Sequence, residues 1–189
     1  LQTDKDDKLV VLYASNKDEQ HAYIDAAKEK GYEVLFLDSP IVSHLIQKLE
    51  TTEEKVTFVR VDGDHIDNLI KKDEEQISKL NDEEKETLKT VLTEIIPQDK
   101  FTVQLEAMDS NANPFIITQP EFMRRMKEMQ QTGGGGGMFG MGNMPDMYNL
   151  VVNTNNELIG DILTTKTAKK KERLVNQALD LARLSQNLL

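Results

Sequence analysis

Three apolar runs of strand length alternate with two helical patterns inside the first 61 residues, and this alternation constrains the fold more than any other feature of the chain. Leu9-Val10-Val11-Leu12-Tyr13-Ala14 is continuous in apolar side chains, as suits a strand covered on both faces. Ser15 and Asn16, followed by Asp18 and Glu19, are helix-starting residues. The helix expected after them turns Tyr23, Ala26 and Ala27 inward and ends near Lys30, with Gly31 placed to terminate it. Glu33-Val34-Leu35-Phe36-Leu37 is the second strand. Asp38-Ser39-Pro40 then opens a helix carrying Ile41, Val42, Leu45, Ile46 and Leu49 at helical spacing, and Val56-Thr57-Phe58-Val59-Arg60-Val61 is the third strand. A helix between successive strands predicts parallel pairing through right-handed crossovers.

The pattern changes after Val61. Between Asp62 and Glu86 there are ten acidic and four basic residues with few apolar ones, which reads as a solvated connector, and a domain boundary is expected near Lys72. Asn81 or Asp82 caps a helix whose apolar face is Leu88, Val91, Leu92, Ile95 and Ile96, with Pro97 as its stop. Phe101-Thr102-Val103-Gln104-Leu105 alternates like a half-buried strand. Turn residues from Asp109 to Pro114 separate it from Phe115-Ile116-Ile117, its expected hairpin partner. Pro120 starts a helix from Glu121 to about Gln131, and a glycine-rich stretch follows. Tyr148-Asn149-Leu150-Val151-Val152 is a further strand, residues 156–163 a short helix, and a long helix begins at Ala168. The expected fold is thus a small three-strand α/β unit (βαβαβ), residues 1–72, followed by an α+β domain, residues 73–189, that ends in a long helix. The chain opens at Leu1 without an initiator Met, and Leu188-Leu189 falls within an apolar helical pattern with no apparent cap. It reads as a segment excised from a longer protein.

Composition removes several function classes. The chain has 33 acidic against 23 basic side chains, a net charge of −10, so a nucleic acid would be repelled across most of its surface. Without cysteine there is no disulfide scaffold, thiolate metal site or Cys nucleophile. No apolar run approaches the length of a membrane span and no leader pattern is present, so a soluble, cytoplasmic protein is expected. Enzyme signals are weak. His21, His44 and His65 stand apart without a partner ligand at i+4, so each reads as exposed or internally satisfied and no metal is expected. Asp62-Gly63-Asp64 has its glycine in the wrong place for a calcium loop and lacks the closing Glu. The turn Ala14-Ser15-Asn16-Lys17 points amides at a helix start, where an anion could sit, but no glycine allows close approach.

Two segments stand out instead. Seven of the eight Met and seven of the ten Gly lie between Met123 and Met147. On the helix from Pro120, Phe122, Met126 and Met129 share a face beside Met123, with Arg124, Arg125, Lys127 and Glu128 opposite. That stripe is either an ordinary core face or an adaptable contact surface for unfolded chains, since Met is unbranched and polarizable. Burying four such side chains is worth roughly 6–12 kcal/mol gross, much of it offset by ordering, which suits weak and promiscuous capture. The second segment is the last helix. Leu174, Val175, Ala178, Leu181, Ala182, Ser185 and Leu188 form a stripe that Leu179, Leu184 and Leu189 widen. It is either a core face or a symmetric helix-helix dimer contact.

Several of these segments also resemble a known family. Lys30-Gly31-Tyr32-Glu33-Val34-Leu35-Phe36-Leu37 before the Ile41 to Leu49 helix, then Phe122-Met123-Arg124-Arg125-Met126 before a glycine-rich stretch, then Tyr148-Asn149-Leu150-Val151-Val152-Asn153, resemble the heat-shock protein 90 chaperones in their bacterial form. The resemblance implies that residues 1–72 are the end of the middle domain and that the rest is most of the C-terminal dimerisation domain. It implies a client-binding role for Phe122, Met123, Met126 and Met129, and a dimer role for the helix from Ala168. ATP and magnesium would belong to the full-length parent, with the ATP site and its completing arginine upstream of Leu1, so no catalysis and no cofactor are expected of this chain. The second dimer helix of the family would lie beyond Leu189. Asn153-Thr154 replaces a frequent Asn-Pro, which is expected to soften the next helix start. The competing expectation is a small-ligand or nucleotide-binding α/β enzyme or sensor, using the pocket above the carboxyl ends of the first three strands.

Overall fold

The computed structural model describes residues 2–39, 41–70, 76–120, 123–125 and 147–188. The chain divides into two compact units, Leu1–Asp73 with Gln119–Asp146, and Glu74–Thr118 with Met147–Leu189. Gln119 onward therefore groups with the first unit, and the second is assembled from two stretches of chain. Lys72 lies outside the described residues.

The first unit is built from β1 (Leu9–Ala14), α1 (His21–Glu29), β2 (Val34–Phe36), α2 (Val42–Thr52), β3 (Val56–Arg60) and α3 (Ile66–Leu69). Its sheet has the order β2-β1-β3 and is parallel throughout, with Tyr13 opposite Leu35 on one side and Arg60 on the other. Alternation along β1 divides its side chains between two cores. Val10, Leu12 and Ala14 pack with Ala27, Leu69 and Ile70, while Tyr13 packs with Val42 and Ile46. Gly31, at φ +76°, terminates α1 by a Schellman motif in which Tyr32 N–H bonds to Ala27 C=O and Gly31 N–H to Lys28 C=O. The α1 start is later than the sequence suggests. Asn16 Oδ1 accepts from Asp18 and Glu19 N–H in a turn, and the helix begins only at His21. In α2 only Val42 and Ile46 are buried, and Ile41 and Leu45 are exposed. α3 was not anticipated within the acidic connector.

The second unit contains α4 (Asp82–Ile95), β4 (Phe101–Glu106), β5 (Phe115–Thr118), β6 (Tyr148–Asn153), α5 (Glu157–Thr164) and α6 (Ala168–Ser185). A full capping box starts α4, with Asn81 Oδ1 accepting from Glu84 N–H and Glu84 Oε2 from Asn81 N–H, both at 2.9 Å. The sheet order is β4-β6-β5, with β6 parallel to β4 and antiparallel to β5. The expected hairpin between β4 and β5 is therefore wrong. β6 takes the place between them because Leu150, Val151 and Val152 are completely buried, and an uninterrupted apolar run is most stable at the centre of a sheet. The three strands and α4, α5 and α6 enclose one core that includes Leu88, Leu92, Phe115, Ile117, Ile159, Ile162, Val175 and Leu179.

A buried polar cluster braces this unit at the end of β6. Asn153 accepts from the Met108 and Asn155 amides and donates to the Asp109 and Ala112 carbonyls. Asn155 receives Lys79 N–H and donates to the Ile77 and Met108 carbonyls. Thr154 N–H bonds to Glu106 C=O at 2.8 Å, a bond that proline could not make, and its hydroxyl meets Ser78. The helix that follows is not softened, since it starts two residues later on Asn156, whose side chain accepts from Leu158 N–H.

α6 is capped, contrary to the sequence expectation. Asn187 sits at φ +57°, Leu188 N–H bonds to Arg183 C=O and Asn187 N–H to Leu184 C=O, which is a second Schellman motif with asparagine in the glycine position. Asn187, inside the apolar pattern, supplies the left-handed position that ends the helix.

Candidate functional site

Residues 119–125 are fastened to the first unit by three arginines. Arg60 ends β3 and is buried; its guanidinium forks onto Asp62 and reaches Gln119 Oε1 at 2.7 Å. Gln119 N–H bonds in turn to Asp62 C=O at 2.9 Å. Arg124 N–H closes a turn on Pro120 C=O, and residues 123–125 are helical. Its side chain, only 4% exposed, donates from Nη2 to Tyr13 Oη at 2.8 Å and lies 5.8 Å from the centre of the Tyr13 ring. Arg125 pairs with Glu50 at 3.2 Å and donates to Phe58 C=O.

These contacts bear on which face of the helical pattern is covered. Helical spacing puts Arg124 and Arg125 on the face opposite the methionines, and in the structure these arginines dock. Periodicity reveals which residues share a face but not which face is covered. Here Tyr13 Oη, its ring, Glu50 and the Phe58 carbonyl of edge strand β3 supply the partners that allow charged side chains to be buried. Of the proposed client-contact residues, Met123 is half-buried. Phe122, Met126 and Met129 lie outside the described residues, as does the rest of the methionine and glycine segment up to Asp146.

α6 divides the residues proposed for a dimer contact into two groups. Val175, Ala178 and Ala182 are buried in the unit's own core and Leu174 is half-buried against it. Leu181, Leu184 and Leu188 are 59%, 61% and 37% exposed, and Ser185 is exposed with its hydroxyl on Ala182 C=O. The stripe is thus wider than one core, and its outer part meets water. At the helix end, buried Gln186 turns its amide onto β5, accepting from Ile117 N–H and donating to Ile117 C=O, both at 2.8 Å.

The turn after β1 does not offer an anion site. Gln20, 4% exposed, places its Oε1 at 2.8 Å from Ser15 N–H and 2.9 Å from Asn16 N–H. The two amides that would receive a phosphate at the end of β1 are thereby taken by the protein's own side chain, and the turn does not fit a nucleotide. Asp62 is paired with Arg60, and Asp64 accepts from His65 N–H and from the Asn68 side-chain amide ahead of α3, so the acidic turn is a structural one. His21 and His44 are exposed, as expected. His65 departs from that reading, since its ring is buried and neither nitrogen has a partner among the described residues. Among the described residues no group of three or more His, Asp or Glu side chains is placed to hold a metal ion, and no helix is long and apolar enough to cross a membrane.

Sequence reasoning did not find Gln20, Gln186 or the Arg60, Asp62 and Gln119 cluster. The one available signal was an arginine within an apolar strand run, which needs a buried partner.

The chain that folds into these two units has sequence relatives among the chaperones. The chain belongs to the Hsp90 protein family, whose sequence profile matches residues 5–184. It is similar to the chaperone protein HtpG of Bacteroides thetaiotaomicron, with 45% identity over 170 residues that cover 88% of this chain and 25% of that protein. HtpG of Bacteroides fragilis is 44% identical over 165 residues, 86% of this chain and 24% of the relative. HtpG of Porphyromonas gingivalis is 39% identical over 187 residues, 97% of this chain and 27% of the relative. The chain spans about a quarter of the length of the curated relatives it matches.

Proposed function

We propose that this chain is the portion of an ATP-driven, cytoplasmic folding chaperone that contacts unfolded client proteins and joins two copies, while ATP binding and hydrolysis belong to other parts of the parent protein. In this reading residues 1–72 are the end of the middle domain and residues 73–189 most of the C-terminal dimerisation domain.

The observation that carries the proposal is the division of α6. One side of the helix completes the core, while Leu181 and Leu184 on α6 and Leu188 just past its cap stand outside it, leaving an apolar face through which the helix could meet its own copy. In this reading the dimer contact is made by this outer row, with Val175, Ala178 and Ala182 supporting it from the core side. Client contact rests on family membership and on the methionine stripe that begins at Met123.

Sedimentation velocity over a range of concentrations tests the dimer. The wild-type chain should associate, and Leu181→Glu with Leu184→Glu should yield monomers with unchanged circular dichroism. Association unaffected by the pair would remove α6 from the contact. A thermal-shift screen with nucleotides tests the assignment of ATP chemistry elsewhere, since a shift of several degrees with ATP would contradict it.

A further inference from the structure

A groove of about 390 Å³ runs between α1 and β2 in the first unit, with Ala14 and Lys17, the two ends of the turn after β1, also in its lining. β2 is the outer strand of its sheet, so one of its edges has no strand beside it among the described residues. Its Leu35 and Phe36 are 49% and 43% exposed, an unusual share for the apolar residues of a strand. Across the groove, His21, Asp25 and Lys28 fall on one face of α1 at successive turns, and Lys17 leads into the helix. The Lys17 ammonium lies 4.7 Å over the Phe36 ring. Neither Lys17 nor Lys28 is in an ion pair among the described residues. In a chain of net charge −10, an apolar floor rimmed by two unpaired lysines and a histidine against a single aspartate is a local reversal of sign.

We propose that this groove binds an extended, acidic segment of a partner protein, which lies along the open edge of β2 with apolar side chains on Leu35 and Phe36 and carboxylates at Lys17 and Lys28. Edge strand beside helix is the arrangement in which a peptide gains main-chain bonds from the strand and side-chain selection from the helix. The lysines set the selection. They disfavour a basic segment and meet an acidic one, and Lys17 leaves only a weak exposed contact with Phe36 when it does so. Exposed lysines beside a short edge also discourage pairing between copies of the chain, which leaves the edge open to a partner of opposite charge.

The test is fluorescence anisotropy of the whole chain with a labelled peptide of about seven residues that alternates glutamate and leucine, a strand-length probe. The expected result is saturable binding, weakened roughly tenfold by Lys17→Glu with Lys28→Glu. The same charge change at Lys48→Glu with Lys55→Glu, exposed in the same unit but off the groove, should leave binding intact. Melting temperatures of both variants should stay near that of the wild type. No binding, equal binding of a lysine-leucine peptide, or equal weakening by the off-groove pair would each overturn the proposal. So would a change in sedimentation, rather than in peptide affinity, on reversal of Lys17 and Lys28, since the groove would then be a contact between copies.

Discussion

Gln186 does for β5 what a neighbouring strand would do. Its amide bonds to both main-chain groups of Ile117 in a buried setting, so Gln186→Ala removes two buried hydrogen bonds. Urea denaturation should show a loss of about 1–3 kcal/mol, the cost of unmade buried hydrogen bonds. Tyr13→Phe is the corresponding change in the first unit. It removes the hydroxyl that meets Arg124 at 2.8 Å but keeps the ring beneath the guanidinium, and a loss of about 1–3 kcal/mol is expected by the same measurement. Such residues were hardly legible in the sequence. A glutamine has no periodic signature, and whether it caps a strand edge, as Gln186 does, or fills a turn, as Gln20 does, depends on backbone groups far away in sequence or freed by a turn. Apolar residues were easier: Leu12, Ile46, Leu88 and Leu92 were all expected inside from spacing alone, and all are buried.

At the scale of elements, α6 is the informative case. Its apolar pattern identified the helix, its start at Ala168 and the excess width of its stripe, but could not divide the stripe between core and water. That division depends on how far β5 and α4 reach around it. The helix end was misread because a left-handed asparagine is less conspicuous than a glycine. Asn187→Val should cost about 1–2 kcal/mol of stability, the penalty of a branched side chain at positive φ, whereas Asn187→Gly should be tolerated. The start of α4 was legible in full. Asn81→Ala breaks its capping box and should cost about 0.5–2 kcal/mol in the same denaturation assay. The β4 and β5 pairing failed for a different reason. Turn chemistry between two strands signals reversal of the chain, but not adjacency, and a more apolar strand arriving later took the central place.

For the molecule as a whole, the alternation in the first 61 residues and the mixed pattern after it were enough to anticipate two units of different class, because each pattern admits few packings. What they could not foretell is that residues 119–146 group with the first unit rather than with the stretch that surrounds them in sequence. If copies associate through α6, stability is linked to association, and the melting temperature should rise with protein concentration; for the Leu181→Glu, Leu184→Glu pair it should not. The family is one of heat-shock proteins, and the way residues 119–125 are held bears on that. Apolar packing gains little more per unit area on warming, whereas the hydration that opposes burial of a guanidinium or carboxylate weakens as temperature rises. A segment secured by Arg60, Arg124 and Arg125 therefore keeps its grip, relative to one secured by leucines, in the range where other proteins begin to unfold.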